Sequence, residues 1–237
     1  MKVLGFDTAT LTAGVAVVDG DRVLAEARHD ARARTADLLV TIDDVCRRAG
    51  VAPTELGAIA VGAGPGSFTG LRIGMATAKG IAFAAQRPLW AVSSLAAVAW
   101  DAEQARANDQ LFAHVDGVIV AVLDARRAEV FAGCYRHGAP LADERVLAPA
   151  ELAAWVRGVA GDLPVTYAGD ALAAYGDALA PLSAGWIVTT PSGAAIAHLA
   201  RVGARVDVTT SGTPSYIRPS EAEVMYPDGV PGALRRP

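Results

Sequence analysis

Three segments of the chain bring together residues whose types could do chemistry. Asp7-Thr8-Ala9-Thr10 puts a carboxylate and two hydroxyls at the end of an apolar run. Gly62-Ala63-Gly64-Pro65-Gly66-Ser67 is glycine-rich and precedes a stretch with helical periodicity. Asp124 closes a second apolar run and is followed by Arg126 and Arg127. Carboxylates at strand ends can hold a divalent cation. Glycines let backbone N–H groups approach a phosphate, and a helix N-terminus attracts anions. Asp7, Thr8, Thr10 and Asp124 are therefore the candidates for a nucleotide cleft. The glycine segment nevertheless fails both phosphate patterns. G-x-x-x-x-G-K-[ST] needs a lysine, and the nearest, Lys79, lies inside the helical stretch; Pro65-Gly66 breaks G-x-G-x-x-G. The plainer expectation is a tight strand-to-helix turn with positive φ at one or more glycines. Asp7 then becomes a strand-end residue bonded to the turn that follows it.

Other chemistries find less support. His29, His114, His137 and His198 are never three or four apart, so no helical metal pair arises. There is no G-x-S-x-G elbow. No catalytic residue, metal or cofactor is expected. Cys46 and Cys134 sit in apolar stretches and read as buried, reduced thiols, which suits a cytoplasmic protein. MKVLGFDTAT reads as a strand start rather than a signal peptide. The longest stretch without Asp, Glu, Lys or Arg, Ala178 to Ala200, carries Pro181, Gly185, Pro191 and Gly193. It cannot be one spanning helix, so a soluble protein with no membrane partner is expected.

Charge points the same way. The 21 basic residues, 19 of them Arg, face 25 acids for a net charge of -4, and basic residues occur at most in pairs. A chain that grips RNA alone would show a basic face. Hydrophobic residues are 52%, with 51 alanines, and aromatics only 6%. The core must be small side chains packed closely. A length of 237 residues suggests two lobes of about 110 each.

Periodicity supplies the elements that must position these residues. Residues 2–7, 13–19 and 22–28 read as three antiparallel strands, with a tight turn at Asp19-Gly20-Asp21. A helix follows from Thr35, its N-cap, to Ala49; Leu38, Leu39, Ile42, Val45, Cys46 and Ala49 share one face. A strand at 57–63 leads through the glycine segment into a helix from Gly70 to Gln86. Then come a strand at Leu89 to Val92 and a helix from Ser93 or Ser94. Residues 103–115 read as a surface connection. The order then restarts: strands Val118 to Asp124, Glu129 to Arg136 and Glu144 to Leu147, helix Ala150 to Val156, strand Val165 to Ala168, helix Ala171 to Ala180, strand Trp186 to Thr189, helix Ser192 to Val202. This predicts an α/β protein of two tandem βββαβα lobes, 1–102 and 103–218, with a tail at 219–237. The doubled plan, with an Asp near the end of each first strand, resembles the actin-like ATPase (ASKHA) superfamily. That likeness concerns fold and assigns no chemistry.

In the helix from Gly70, Gly70, Gly74, Ala78 and Ala82 recur every fourth residue, beside a row of Arg72, Ala76, Gly80 and Ala84. Gly74 and Gly80 each cost about 1 kcal/mol against alanine, which something packed against the backbone would explain. One row is expected to pack on the protein's own sheet and the other on another subunit. The expectation falls on the row containing Gly74, with Gly70, Leu71, Arg72, Gly74, Met75, Ala78, Lys79 and Ala82 as the partner surface.

Four blocks together carry a family resemblance. They are Phe6-Asp7-Thr8-Ala9-Thr10, the run Gly62 to Gly74 (GAGPGSFTGLRIG), Asp124-Ala125-Arg126-Arg127-Ala128-Glu129-Val130-Phe131, and Pro214-Ser215-Tyr216-Ile217-Arg218. In these the chain resembles the TsaB (YeaZ) family over residues 2 to about 218. The resemblance implies a non-catalytic dimerisation subunit of the bacterial complex that makes threonylcarbamoyladenosine in tRNA. It implies pairing with a metal-bearing paralogue, TsaD, through the helix after the glycine block, and a TsaE-like ATPase as a further partner. It also implies a homodimer when alone, and tRNA met only through the complex. Many members carry a His-Ser-Glu-like stretch before the first helix; Arg34-Thr35-Ala36-Asp37 stands there here, so no role for that histidine carries over. The rival expectations are an ATP-binding actin-like kinase or carbamoyltransferase using Asp7 and Asp124, and a protease-like relative.

Overall fold

In the computed structural model of this protein, residues 1–30, 36–108, 116–183, 185–209 and 212–218 are described. The expected N-cap Thr35, residues 109–115 of the expected connection and the tail 219–237 lie outside them. Eleven strands are β1 (Lys2–Asp7), β2 (Thr12–Asp19), β3 (Arg22–Asp30), β4 (Ala58–Gly64), β5 (Leu89–Ser93), β6 (Val118–Arg126), β7 (Glu129–Arg136), β8 (Ala139–Pro140), β9 (Arg145–Leu147), β10 (Val165–Ala168) and β11 (Ala204–Val206). The helices are α1 (Ala36–Ala49), α2 (Phe68–Ala85), α3 (Ser94–Ala107), α4 (Leu152–Ala160), α5 (Ala171–Leu179) and α6 (Gly193–Leu199).

The first sheet runs β11-β5-β4-β1-β2-β3, the second β10-β6-β7-β8 with β9 also on β7. Within each, a hairpin of antiparallel strands adjoins a parallel crossover: β1 pairs antiparallel with β2 and parallel with β4, while β6 pairs antiparallel with β7 and parallel with β10. This doubled plan is the actin-like fold. β4 is buried along its whole length, which is why it reads as an unbroken apolar run. β3 forms an edge and carries Arg22, Glu26, Arg28 and Asp30, charges that suit an unpaired strand.

Helices cover both faces of both sheets. Leu38, Ile42, Val45 and Cys46 of α1 and Met75, Ala78 and Ala82 of α2 share one core with Leu4, Phe6, Val15, Val17, Ile59 and Val61. Residues of α4 and α5 cover the far face of the second sheet, with Val118, Val120 and Val122. Between the sheets lie α3 and α6, and their placement differs from the tandem expectation. Leu95, Val98, Ala99 and Ala102 of α3 pack on Ile119, Ala121 and Leu123 of the second sheet. Ala194, Ile196 and Ala197 of α6 pack on Val3, Ala16, Val18 and Ala60 of the first.

Each lobe thus lends its last helix to the other. β11 joins β5, so residues 193–206, expected in the second lobe, belong with the first sheet. Close backbone approach is the physical reason. A Cβ on Gly5 would overlap the backbone of α6, one on Gly14 would lie 2.7 Å from Pro191 O, and one on Gly193 would overlap Ala16 N. Asp101 of α3 accepts from Ser192 N–H at 2.9 Å and from Ser192 Oγ at 2.6 Å, which fixes the crossing.

Two further expectations change. Residues 103–107 continue α3 rather than starting a connection, and Trp186 to Thr189 is no strand. Only a single parallel bridge, Ala168 to Ile187, stands where the fifth strand of the second sheet was expected.

Candidate functional site

The two segments most suggestive of phosphate chemistry turn out to interlock. A Cβ on Gly62 would overlap the Asp7 carboxylate, one on Gly66 would lie 2.5 Å from Ala9, one on Gly70 would overlap Thr8 O, and one on Gly74 would overlap Thr8 Oγ1. Four glycines at spacings of four therefore make one cradle for Asp7-Thr8-Ala9. Ser67 N–H donates to Ala9 O at 2.7 Å, and Ser67 Oγ accepts from Gly70 N–H at 3.3 Å as the N-cap of α2. Gly64, at φ 107, turns the chain into its peptide bond with Pro65, which is cis, as the turn reading expected.

Asp7 consequently points away from any cleft. It is 0% exposed; Oδ1 accepts from Ala9 N–H at 2.7 Å and Oδ2 from Ser94 Oγ at 2.6 Å. Burial pushes its carboxyl up to about 6, the two hydrogen bonds only partly opposing it. Thr8 is buried as well, its Oγ1 donating to Gly70 O at 2.8 Å. Neither lines the cleft, so both are corrected as cleft candidates. Of the expected four, Thr10 and Asp124 remain there.

That cleft, of about 1000 Å³, lies between Ala9–Thr12 and Pro65–Thr69 on the first lobe and Asp124–Arg127 and Asp170 on the second. Asp124 accepts from Tyr175 OH at 2.8 Å and from Arg126 N–H at 2.7 Å, and pairs with Arg126 Nη1 at 3.1 Å. Asp170 accepts from Asp124 N–H at 3.0 Å, and burial raises its carboxyl above the usual range. Arg126, Arg127 and Ala128 have φ of 63°, 55° and 59°. Three consecutive non-glycine residues in the left-handed region cost about 1 kcal/mol or more each. The strain turns the β6–β7 hairpin into the cleft. Sequence reading saw Arg126-Arg127 only as a basic pair and missed Asp170 and Tyr175 altogether; no local signal marks residues brought in from α5.

Among the described residues no group of three or more His, Cys, Asp or Glu is arranged to hold a metal ion. No helix among them is long and apolar enough to cross a membrane.

The expected partner surface on α2 divides. Leu71, Gly74, Met75, Ala78 and Ala82 are buried against the chain's own sheet and the 7–9 turn, so they form no surface. Gly70 and Lys79 are half-buried. Arg72 is exposed, together with Phe68, Ala76, Gly80, Phe83 and Ala84. The row that faces outward is therefore the one of Arg72, Ala76, Gly80 and Ala84. The pattern alone could not choose, because both rows are built of small residues.

The sequence matches, over residues 28–214, the family described as TsaD: tRNA N6-adenosine threonylcarbamoyltransferase. It is 36% identical over 143 residues to the tRNA threonylcarbamoyladenosine biosynthesis protein TsaB of Bacillus subtilis, covering 58% of this chain and 56% of that one. The chain spans about half the length of the curated relatives it matches. A solved structure from Pseudomonas aeruginosa, described as an uncharacterized protein with similarity to peptidase YeaZ, superposes with a TM-score of 0.73 at 30% identity. The match covers 92% of this chain and 99% of that one. Component A of the Acidaminococcus fermentans (R)-2-hydroxyglutaryl-CoA dehydratase superposes at a TM-score of 0.52 and 12% identity, a likeness of fold.

Proposed function

The chain belongs to the TsaB (YeaZ) family, and from that premise we propose that it serves tRNA threonylcarbamoyladenosine biosynthesis as a non-catalytic subunit that docks a TsaD-type paralogue. The observation that carries the reading is the outer face of α1 and α2. Both helices lie on one side of the first sheet, and between them they leave Phe83 68%, Val40 64% and Leu39 54% exposed. Large apolar side chains set among small ones such as Ala76 and Gly80 suit a helix-on-helix interface.

The sequestered Asp7 speaks against the rival ATP-binding enzyme, because its carboxylate is occupied by Ala9 and Ser94. On this reading the same face pairs two copies when the paralogue is absent. A TsaE-like ATPase joins the complex, tRNA is met only through it, and the protein works in the cytoplasm.

Sedimentation of the chain with the paralogue from the same organism tests the proposal. A complex that forms with the wild type and fails with Gly80→Arg supports it. Undiminished association of that variant, or threonylcarbamoyl transfer by the isolated chain, overturns it.

A further inference from the structure

The segment 212–218 runs across the mouth of the cleft and is fastened on both sides. On the first lobe, Ser215 N–H donates to Ala63 O at 2.7 Å. The Tyr216 ring meets that of Phe68 at 5.0 Å between centroids, tilted by 34°. On the second, Ile217 packs against the cluster containing Leu123, Ala125 and Phe131, and Arg218 Nη1 donates to Glu129 Oε2 at 2.8 Å. Between these anchors the Tyr216 hydroxyl accepts from Arg72 Nε at 3.1 Å, while the Arg72 guanidinium lies 3.8 Å over the Phe68 ring.

An exposed arginine on a helix face ordinarily samples many rotamers, and ordering it costs about 2 kcal/mol of side-chain entropy. Arg72 is held already, by a ring face below it and a hydroxyl at Nε. Fixing a contact group before binding improves affinity by removing that ordering cost. With Nε engaged, the edge bearing the two terminal nitrogens is the part of the fork that an incoming carboxylate can meet bidentately.

We propose that Tyr216 is a positioning residue for Arg72, presenting its guanidinium on the outer face of α2 to a carboxylate of the docking partner. Affinity for the partner therefore depends on the 212–218 strap being seated across the cleft. The inference rests on the docking reading above and adds a means of regulation: whatever unseats the strap from the second lobe weakens docking on the first.

The experiment is a double-mutant cycle on association with the paralogue, read by calorimetry at fixed salt with the full chain. Tyr216→Phe keeps the ring against Phe68 and removes only the acceptor, so its fold is monitored by melting temperature. It is expected to weaken binding by about threefold, and Arg72→Ala by about tenfold. The combined variant is expected to bind no more weakly than Arg72→Ala alone, because the hydroxyl acts through the guanidinium. Glu129→Gln, which loosens the far anchor, should weaken binding as Tyr216→Phe does. Wild-type affinity of Tyr216→Phe, additive losses in the double variant, or an unaffected Glu129→Gln each overturn the inference. Gly80→Arg separates the two levels. If it abolishes binding while Tyr216→Phe is silent, docking stands and the positioning role falls. If it binds normally, or the wild-type pair does not associate, the docking reading itself fails and this inference with it.

Discussion

Thr8 Oγ1 stands where the Cβ of any residue replacing Gly74 would have to go, while donating to Gly70 O at 2.8 Å. This single relationship turns the first row of α2 inward. It makes the glycine block a packing device for the 7–9 turn, and it leaves the second row for a partner.

Gly74→Ala should therefore destabilise the folded chain. Alanine gains about 1 kcal/mol of helix propensity. Against it stand overpacking of about 1–3 kcal/mol and about 1 kcal/mol for the displaced Thr8 hydrogen bond. The net loss of about 1–2 kcal/mol should lower the melting temperature by roughly 2–8 °C for a chain of this size. In a Thr8→Ala background the same change should cost less, since the obstructing hydroxyl is gone. Calorimetric melting of the four proteins checks this; a Gly74→Ala chain that melts at or above the wild type counts against it.

Gly80, on the other row, has nothing within 4 Å of its missing Cβ. Gly80→Ala should raise stability by about 0.5–1 kcal/mol, the propensity gain without a clash. Urea unfolding midpoints measure it. A lowered midpoint would show that this row is packed in the monomer.

Stability should rise as the pH falls from 7 to 5. Burial raises the Asp7 and Asp101 carboxyls from 3.8 to about 6. A carboxyl raised in the folded state contributes stability that is full below its unfolded value and lost as the pH climbs through the folded one. For Asp7 the swing is on the order of 2 kcal/mol. His198, whose charged form is disfavoured by burial, works in the opposite sense below its ordinary value. Asp7→Asn isolates the carboxyl: it keeps an acceptor for Ala9 N–H and should flatten the profile. Denaturation midpoints across pH 5 to 8 that are unchanged by Asp7→Asn would refute the assignment.

Ser192→Ala should loosen the helix exchange. Ser192 Oγ donates to Asp101 at 2.6 Å and accepts from Ala195 N–H at 2.9 Å as the N-cap of α6. Losing the cap costs about 1 kcal/mol, and leaving the buried carboxylate under-bonded costs about 1–3 kcal/mol more. Faster amide exchange in α6 and β11 is the expected signature; unchanged protection there would argue that Asp101 does not hold the crossing.

The sequence by itself determined what is local. β1, β7 and β10 follow their apolar runs residue for residue. The turn after Asp19, with Gly20 at φ 60, was legible from its residue types, as was the α/β class from the order of strands and helices. The glycine block and the Asp7 segment were both visible, but not that one is the cradle of the other. Their partnership joins residues about sixty apart, and no periodicity within either reports it. The same holds for α6. Its pattern says that it buries an all-apolar face but not on which sheet, and Gly5, Gly14 and Gly193 decide that only when three backbones meet. The direction of α2's two rows was undecidable for a related reason. Alanine and glycine serve equally in a core and at an interface, so only the position of Thr8 separates them. Periodicity fixes which residues share a face. What that face meets depends on contacts between distant segments, and these exist only once the chain has folded.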